Sequence, residues 1–231
     1  MNYKNRIIAF FHPYYRKIVY LLRKSHLLAH LLFGVKNYSR KRLLYWDWTT
    51  LCLRKALKQD NLQDRRFLDM GCGYAAVLSI LAYRRKCRVI TAVDIDPAAI
   101  RSAREFLLFN GVKTALFQSD LTENLPAEKY DIISFNSPYV PEKWGRQQHI
   151  ESPCTTWCGG EEGSEMIDQF LRQIPGYMAP GGKILLGFNT FYVKAEKVKE
   201  IIQANRLVIS RVIKLPFITS LVFEILKEEN E

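Results

Sequence analysis

From residue 66 onward, short runs rich in β-branched and aromatic residues alternate with helix-length stretches, and this rhythm narrows the possible folds more than any other feature. It predicts strands over 66–70, 88–95, 114–119 and 130–135, with helices over 75–85 and 97–110 between them. Residues 166–178 then read as a helix, Pro180-Gly181-Gly182 as a turn, 183–188 as a strand and 193–205 as a helix. Two more strands, 207–215 and 220–227, follow with only a short link through Pro216. That link is too short for a parallel crossover, so the pair should run antiparallel. The expected fold class is α/β: a doubly wound, seven-stranded, mostly parallel sheet with an antiparallel last strand.

Ahead of this body lies a segment of different character. Residues 1–66 hold fifteen Lys/Arg against three acids, a balance of +12, whereas residues 67–231 carry −1. Residues 5–33 are expected to be helical around a break or start at Pro13, residues 34–42 to be a basic linker, and 48–57 to form the next helix. The division is therefore a basic helical extension and linker over 1–44 and a domain over 45–231. A basic lead suits nucleic acid, a ribosome, anionic lipid or an acidic protein, and charge alone does not choose. The favoured reading is a cap packed over the domain. The longest uncharged apolar run there, 27–35, is too short to span a bilayer and no signal cleavage site follows, so no transmembrane segment and a cytoplasmic location are expected. Apolar residues make up 48% of the 231, enough for a core and against a disordered chain.

Three predicted strands end in an acid. Asp69 precedes a turn with Gly71 and Gly73, whose missing side chains let backbone approach a ligand and whose following helix offers free N–H groups. A carboxylate there repels a pyrophosphate and suits an ammonium. Asp94, about twenty residues past the glycine turn, stands where an acid accepts ribose hydroxyls. Asp120 closes the third strand, where a side chain meets a base edge.

These residues, with the terminal antiparallel pair, resemble the class I S-adenosylmethionine-dependent methyltransferases over about residues 45–228. The resemblance implies S-adenosyl-L-methionine as cofactor, with Asp69, Gly71 and Gly73 along its methionine part, Asp94 on the ribose and Asp120 near the adenine. The fourth strand runs into Asn136-Ser137-Pro138-Tyr139, which is similar to the Asn-Pro-Pro-Tyr signature of enzymes that methylate planar nitrogen. An asparagine carbonyl and a backbone carbonyl in such a turn hold the N–H bonds of an amide or exocyclic amine, and Tyr139 covers the planar face. The resemblance implies Asn136, Pro138 and Tyr139 as catalytic residues, with Asn136 also at the cofactor. Ser137 departs from the signature and gives up the fixed φ of proline.

Trp157 to Leu171, with Gly159, Gly160 and Gly163, is similar to the glycine-rich segment and helix of HemK-type enzymes, which methylate a glutamine amide in peptide-chain release factors. Tyr139-Val140-Pro141 matches their short eukaryotic and archaeal branch. Where those enzymes carry an acidic-Asp-Thr element, this chain reads Tyr45-Trp46-Asp47-Trp48-Thr49-Thr50, with Asp47 in a shifted register. A pocket rimmed by Trp46, Trp48, Ser137 and Tyr139 leaves a peptide, a nucleobase or an aromatic metabolite open as substrate. The five cysteines, with only Cys154 and Cys158 close together, suggest neither disulfides nor a metal, and His12, His26, His30 and His149 read as surface or packing residues.

The implied function is transfer of methyl to the side-chain amide of a protein glutamine, with a translation factor as partner. A nucleic-acid amine methyltransferase, in which the basic lead docks RNA or DNA, is the alternative, along with a metabolite enzyme or a cofactor-binding scaffold. A partner subunit and the oligomeric state stay open. If the extension only recruits the acceptor, removing residues 1–33 should weaken acceptor use and leave cofactor binding intact.

Overall fold

The computed structural model describes residues 18, 20–36, 44–148 and 153–228. The start of the extension with His12 and Pro13, the basic residues Arg40, Lys41 and Arg42, and His149 lie outside the described residues. Seven strands form one sheet: β1 (Arg66–Met70), β2 (Val89–Asp94), β3 (Ala115–Gln118), β4 (Tyr130–Asn136), β5 (Met178–Asn189), β6 (Leu207–Lys214) and β7 (Ser220–Lys227). Their order is β3-β2-β1-β4-β5-β7-β6. The first five are parallel, and β7 runs antiparallel to both β5 and β6, as the short link between the last two strands requires.

The helices are α1 (His26–Phe33), α2 (Trp48–Gln59), α3 (Val77–Arg84), α4 (Pro97–Phe109), α5 (Glu142–Gln147), α6 (Glu165–Gln173) and α7 (Ala195–Ala204). They bury the sheet from two sides. Side chains of α1, α2, α3 and α4 form one core, including Phe33, Leu53, Ile80 and Phe106, and those of α6 and α7 form the other around Phe170 and Ile202. Parallel strands covered on both faces read as near-continuous apolar runs, which is why Phe67, Leu68 and Met70 are all buried.

Several boundaries differ from the sequence expectation. The single helix over 5–33 is interrupted: Lys24 and Ser25 close a turn onto the carbonyls of Leu21 and Leu22, and Ser25 then caps α1 by accepting from the Leu28 N–H. Pro180-Gly181-Gly182 is not a turn before a strand but lies within β5. Tyr130 pairs with Met178 and Ile132 with Lys183, so the extra residues of β5 are absorbed as an irregularity, and turn-type composition misled the reading. The helix over 166–178 stops at Gln173 and tightens into a 3-10 turn at Ile174–Tyr177, where Pro175 removes a donor.

Within the described part of the extension, Ala29, Phe33 and Val35 are buried in the same core as α2 and α3. Gly34 ends α1 with φ of 74°. Among the described residues no helix is long and apolar enough to cross a membrane.

The position of α2 against the sheet depends on one small residue. A Cβ on Gly187 of β5 would come within 2.6 Å of the Thr49 methyl and 3.2 Å of Leu53. Gly187→Ala should therefore push α2 off β5, destabilising the protein by about 1–3 kcal/mol. Thermal and urea unfolding of the two proteins measure this directly.

Candidate active site

The strand register brings the ends of β3, β2, β1 and β4 to one edge. Asp69 stands level with Ala92 and Ser134, and Asp94 with Gln118. A cleft of roughly 280 Å³ opens there, lined by Asp69, Gly71, Gly73, Asp94, Asp120 and Asn136 among others. It lies where the chain order reverses between β1 and β4, the place where open α/β sheets leave a crevice.

The turn after β1 is built on positive φ, 63° at Gly71 and 65° at Gly73. A Cβ at Gly71 would meet the Phe135 ring at 3.2 Å, whereas one at Gly73 would meet nothing within 4 Å, so the backbone at Gly73 stays open to a ligand. Asp94 locks this turn to β2: its carboxylate accepts the Gly73 N–H at 2.8 Å and the Asp96 N–H at 3.0 Å. Burial raises its pKa, opposed by those two N–H groups. Asp96 caps α4 through the Ala98 N–H and accepts from the Tyr74 hydroxyl at 2.6 Å. Asp120 follows Ser119, whose N–H donates to the Asp94 carbonyl at 3.0 Å.

Asp69 is almost fully buried. One carboxylate oxygen accepts the Ser79 N–H at 3.0 Å and the Ser79 hydroxyl at 2.6 Å; the other accepts from the Ser134 hydroxyl at 3.4 Å. Burial pushes its pKa up to about 6 in spite of these bonds.

Asn136 ends β4 with its two amide atoms in opposite situations. Its Nδ2 donates toward both carboxylate oxygens of Asp47 and toward Thr50 Oγ1, each at 3.3 Å. An acid can only receive there, so this fixes which atom is nitrogen. Its Oδ1 is buried and has no partner. Asp47 is itself held by α2, which it caps through the Thr50 N–H at 2.6 Å and the Thr50 hydroxyl at 2.7 Å.

The other expected residues are distributed unevenly. Pro138 and Trp46 line the cleft; Ser137, Tyr139 and Trp48 do not. The Ser137 hydroxyl donates to the Gly187 carbonyl at 3.0 Å and its N–H reaches the same oxygen at 3.2 Å, so the loop is tied to β5 by hydrogen bonds where a proline would stiffen it. Tyr139 shares a 3.1 Å hydrogen bond with the Thr49 hydroxyl and stacks on Tyr192 at 5.8 Å, and burial drives its pKa far above the usual phenol range. Trp48 packs edge-on to Trp46 at 5.6 Å. His30 bonds the Val35 carbonyl and His26 packs on the Tyr45 ring. Sequence reasoning missed Ser79, Ser134 and Thr50, whose roles depend on what folds against them, and Arg23, which reaches the cleft from the extension.

Residues 35–152 match the family model described as the methyltransferase small domain. A Methanocaldococcus jannaschii protein, provisionally named a protein N5-glutamine methyltransferase, is 30% identical over 68% of this chain and 79% of its own length. The chain belongs to the methyltransferase small-domain family. It is also 33% identical to the ribosomal protein uL3 glutamine methyltransferase of Bordetella pertussis and 29% identical to the release factor glutamine methyltransferase of Coxiella burnetii. It spans 45% and 50% of those two proteins, about half their length.

Among solved structures, a Pyrococcus furiosus methyltransferase has the same fold, with a TM-score of 0.66 at 20% identity over 93% of this chain and 98% of that one. So does the T. thermophilus 16S rRNA N2 methyltransferase RsmC, solved with AdoMet and guanosine, with a TM-score of 0.58 at 21% identity over 82% of this chain and 45% of that one. The protein is an S-adenosylmethionine-dependent methyltransferase of class I fold. The cleft fits that cofactor: it runs past successive acids at the ends of β3 and β2, over an open glycine turn, to an amide at the end of β4.

The buried Asp69 sets a pH-dependent stability. Its folded pKa, about 6, lies above the value of 3.8 for a free carboxyl, so its ionisation opposes folding; the penalty is absent below pH 3.8 and complete above pH 6. Asp69→Asn keeps an acceptor for Ser79 and turns its amide to Ser134. Without ligand it should exceed wild type in stability above pH 6 by about 3 kcal/mol, a two-unit shift, with the gap closing toward pH 4. Thermal melts across that range check the sign.

Proposed function

We propose that this enzyme methylates the side-chain amide nitrogen of a protein glutamine. The observation that carries the reading is the Asn136 amide. Its nitrogen is committed to Asp47 and Thr50, and its buried oxygen lacks a donor. A buried acceptor without a partner costs about 1–3 kcal/mol, and an incoming N–H removes that cost. A primary amide brings two N–H groups in one plane: one for Asn136 Oδ1, the other for a carbonyl of the Ser137-Pro138 turn. Held this way, the nitrogen faces the methyl carbon for in-line displacement. When bound, S-adenosylmethionine supplies a methyl group made electrophilic by its sulfonium.

Each remaining residue has a part in this arrangement. Asp94, already oriented by two N–H groups, accepts the ribose hydroxyls, and Asp120 borders the adenine. Asp69, Gly71 and Gly73 flank the methionine part. Tyr139 braces the loop through Thr49 rather than through the cleft wall, and Ser137 ties the loop to β5. The names of the archaeal and bacterial relatives point to glutamine in a protein, in two cases a release factor or a ribosomal protein.

The second reading is an exocyclic amine of a nucleic-acid base. In its favour, the chain is 28% identical over 54% of its length to a protein named ribosomal RNA small subunit methyltransferase C, of which it covers 32%, and its first 66 residues are basic.

Incubation of the full chain with labelled S-adenosylmethionine and either release factors or ribosomal proteins should add one methyl group, placed on a glutamine by fragment mass spectrometry. Asn136→Ala should lower kcat about a hundredfold or more, well beyond any weakening of cofactor binding. Labelling of RNA with no labelled protein would replace this reading with the second. Asp69→Asn, which stabilises the fold, should weaken cofactor binding in calorimetry at pH 8.

A further inference from the structure

The cofactor carries two positive groups, sulfonium and ammonium, and one negative group, the α-carboxylate. The cleft is rich in acid, with Asp47, Asp69, Asp94 and Asp120 in its wall. Among the described residues lining it, only Arg23 is a cation. Arg23 belongs to the extension, not to the sheet, and two hydrogen bonds clasp it to the segment leading into α2. Its Nε donates to the Trp46 carbonyl at 2.6 Å, and its own carbonyl accepts the Tyr45 N–H at 3.0 Å.

The clasp uses one guanidinium nitrogen. Among the described residues, no carboxylate lies within ion-pair distance of the other two. A second donor sits in the same wall: the indole N–H of Trp46 is buried with no acceptor. Such a donor is expensive to leave unmade, and an arginine fork is shaped for a carboxylate. The wall also stands at the right end of the cleft. Trp46 and Asp47 enter α2, which packs on β5 and β7, and Asp47 bonds Asn136 at the end of β4. Asp120, at the end of β3, is at the opposite end. If the cofactor lies as the proposed function has it, base beside Asp120 and sulfonium beside Asn136, its amino-acid end would fall on the side of the cleft that Arg23 lines.

We propose that Arg23, with the Trp46 indole N–H, holds the α-carboxylate of S-adenosylmethionine, so that the extension forms part of the cofactor site. This reverses the expectation that removing residues 1–33 leaves cofactor binding intact. It holds for either acceptor, since it concerns the methyl donor alone.

Calorimetry on the full chain with S-adenosylmethionine and with its decarboxylated analogue tests the assignment. Wild type should prefer the carboxylated ligand about tenfold or more, the range of a charge-assisted hydrogen bond. Arg23→Met keeps the aliphatic stem and should abolish most of that preference, weakening S-adenosylmethionine about tenfold while leaving the analogue within about twofold. Trp46→Phe should show a smaller loss of the same kind, and Arg23→Lys should retain part of the preference. Equal wild-type affinity for both ligands overturns the proposal without any variant. So does a loss in Arg23→Met that is the same for both ligands, or no loss at all.

Discussion

A single buried carboxylate holds the centre of this molecule together. Asp69 lies at the end of β1, where the sheet's strand order reverses, and it bonds Ser79 at the start of α3 and Ser134 on β4. Three elements that form the floor of the cleft thus share one acceptor. Burial opposes its ionisation, so above the pKa of about 6 the carboxylate is held at a cost to the fold. The same residue is therefore a structural joint and a store of unfavourable free energy at the floor of the cleft.

From that joint the site is assembled outward by backbone groups. Asp94 reaches back to the Gly73 N–H, Ser119 reaches to the Asp94 carbonyl, and the ends of β1, β2 and β3 are fixed relative to one another before any ligand arrives. The opposite wall has a different origin. Asp47 caps α2 and at the same time restrains the Asn136 amide, so the helix preceding the sheet sets the orientation of the residue at the end of β4. Gly187 permits this by letting α2 approach β5 closely. The loop after β4 is stiffened in the same local way, by Ser137 on the Gly187 carbonyl and Tyr139 on Thr49. Preorganisation of this kind keeps the site from having to reorganise during reaction.

Much of this was legible in the linear chain. The alternation of strand and helix patterns predicted the doubly wound sheet and its antiparallel end, because parallel strands buried on both faces and amphipathic helices leave distinct periodicities. Asp69, Gly71, Gly73, Asp94 and Asp120 were singled out from strand ends and the turn between them, and Asn136 from the resemblance of its loop to a known signature; all of them line one cleft. Less legible were the positions whose meaning is relational. Ser79 and Ser134 are ordinary residues in a helix and a strand until Asp69 stands between them. Pro180-Gly181-Gly182 has turn composition, yet pairing with β4 carries it into β5. Trp48 and Tyr139 have the chemistry of a substrate rim and are turned to packing and bracing instead.

By itself the sequence determined the class of fold and the set of residues at the strand ends, since these follow from local periodicity and from which side chains stand next to which turns; the donor of the methyl group followed only from the resemblance of those residues to a known family. Only the tertiary structure decided which atom of Asn136 is left without a partner, because that depends on a carboxylate 89 residues away in sequence. It also decided that the basic extension reaches the cleft through Arg23. Charge counted along a chain records how much is present, whereas the field at a ligand depends on the few groups that packing brings within a few ångströms of it.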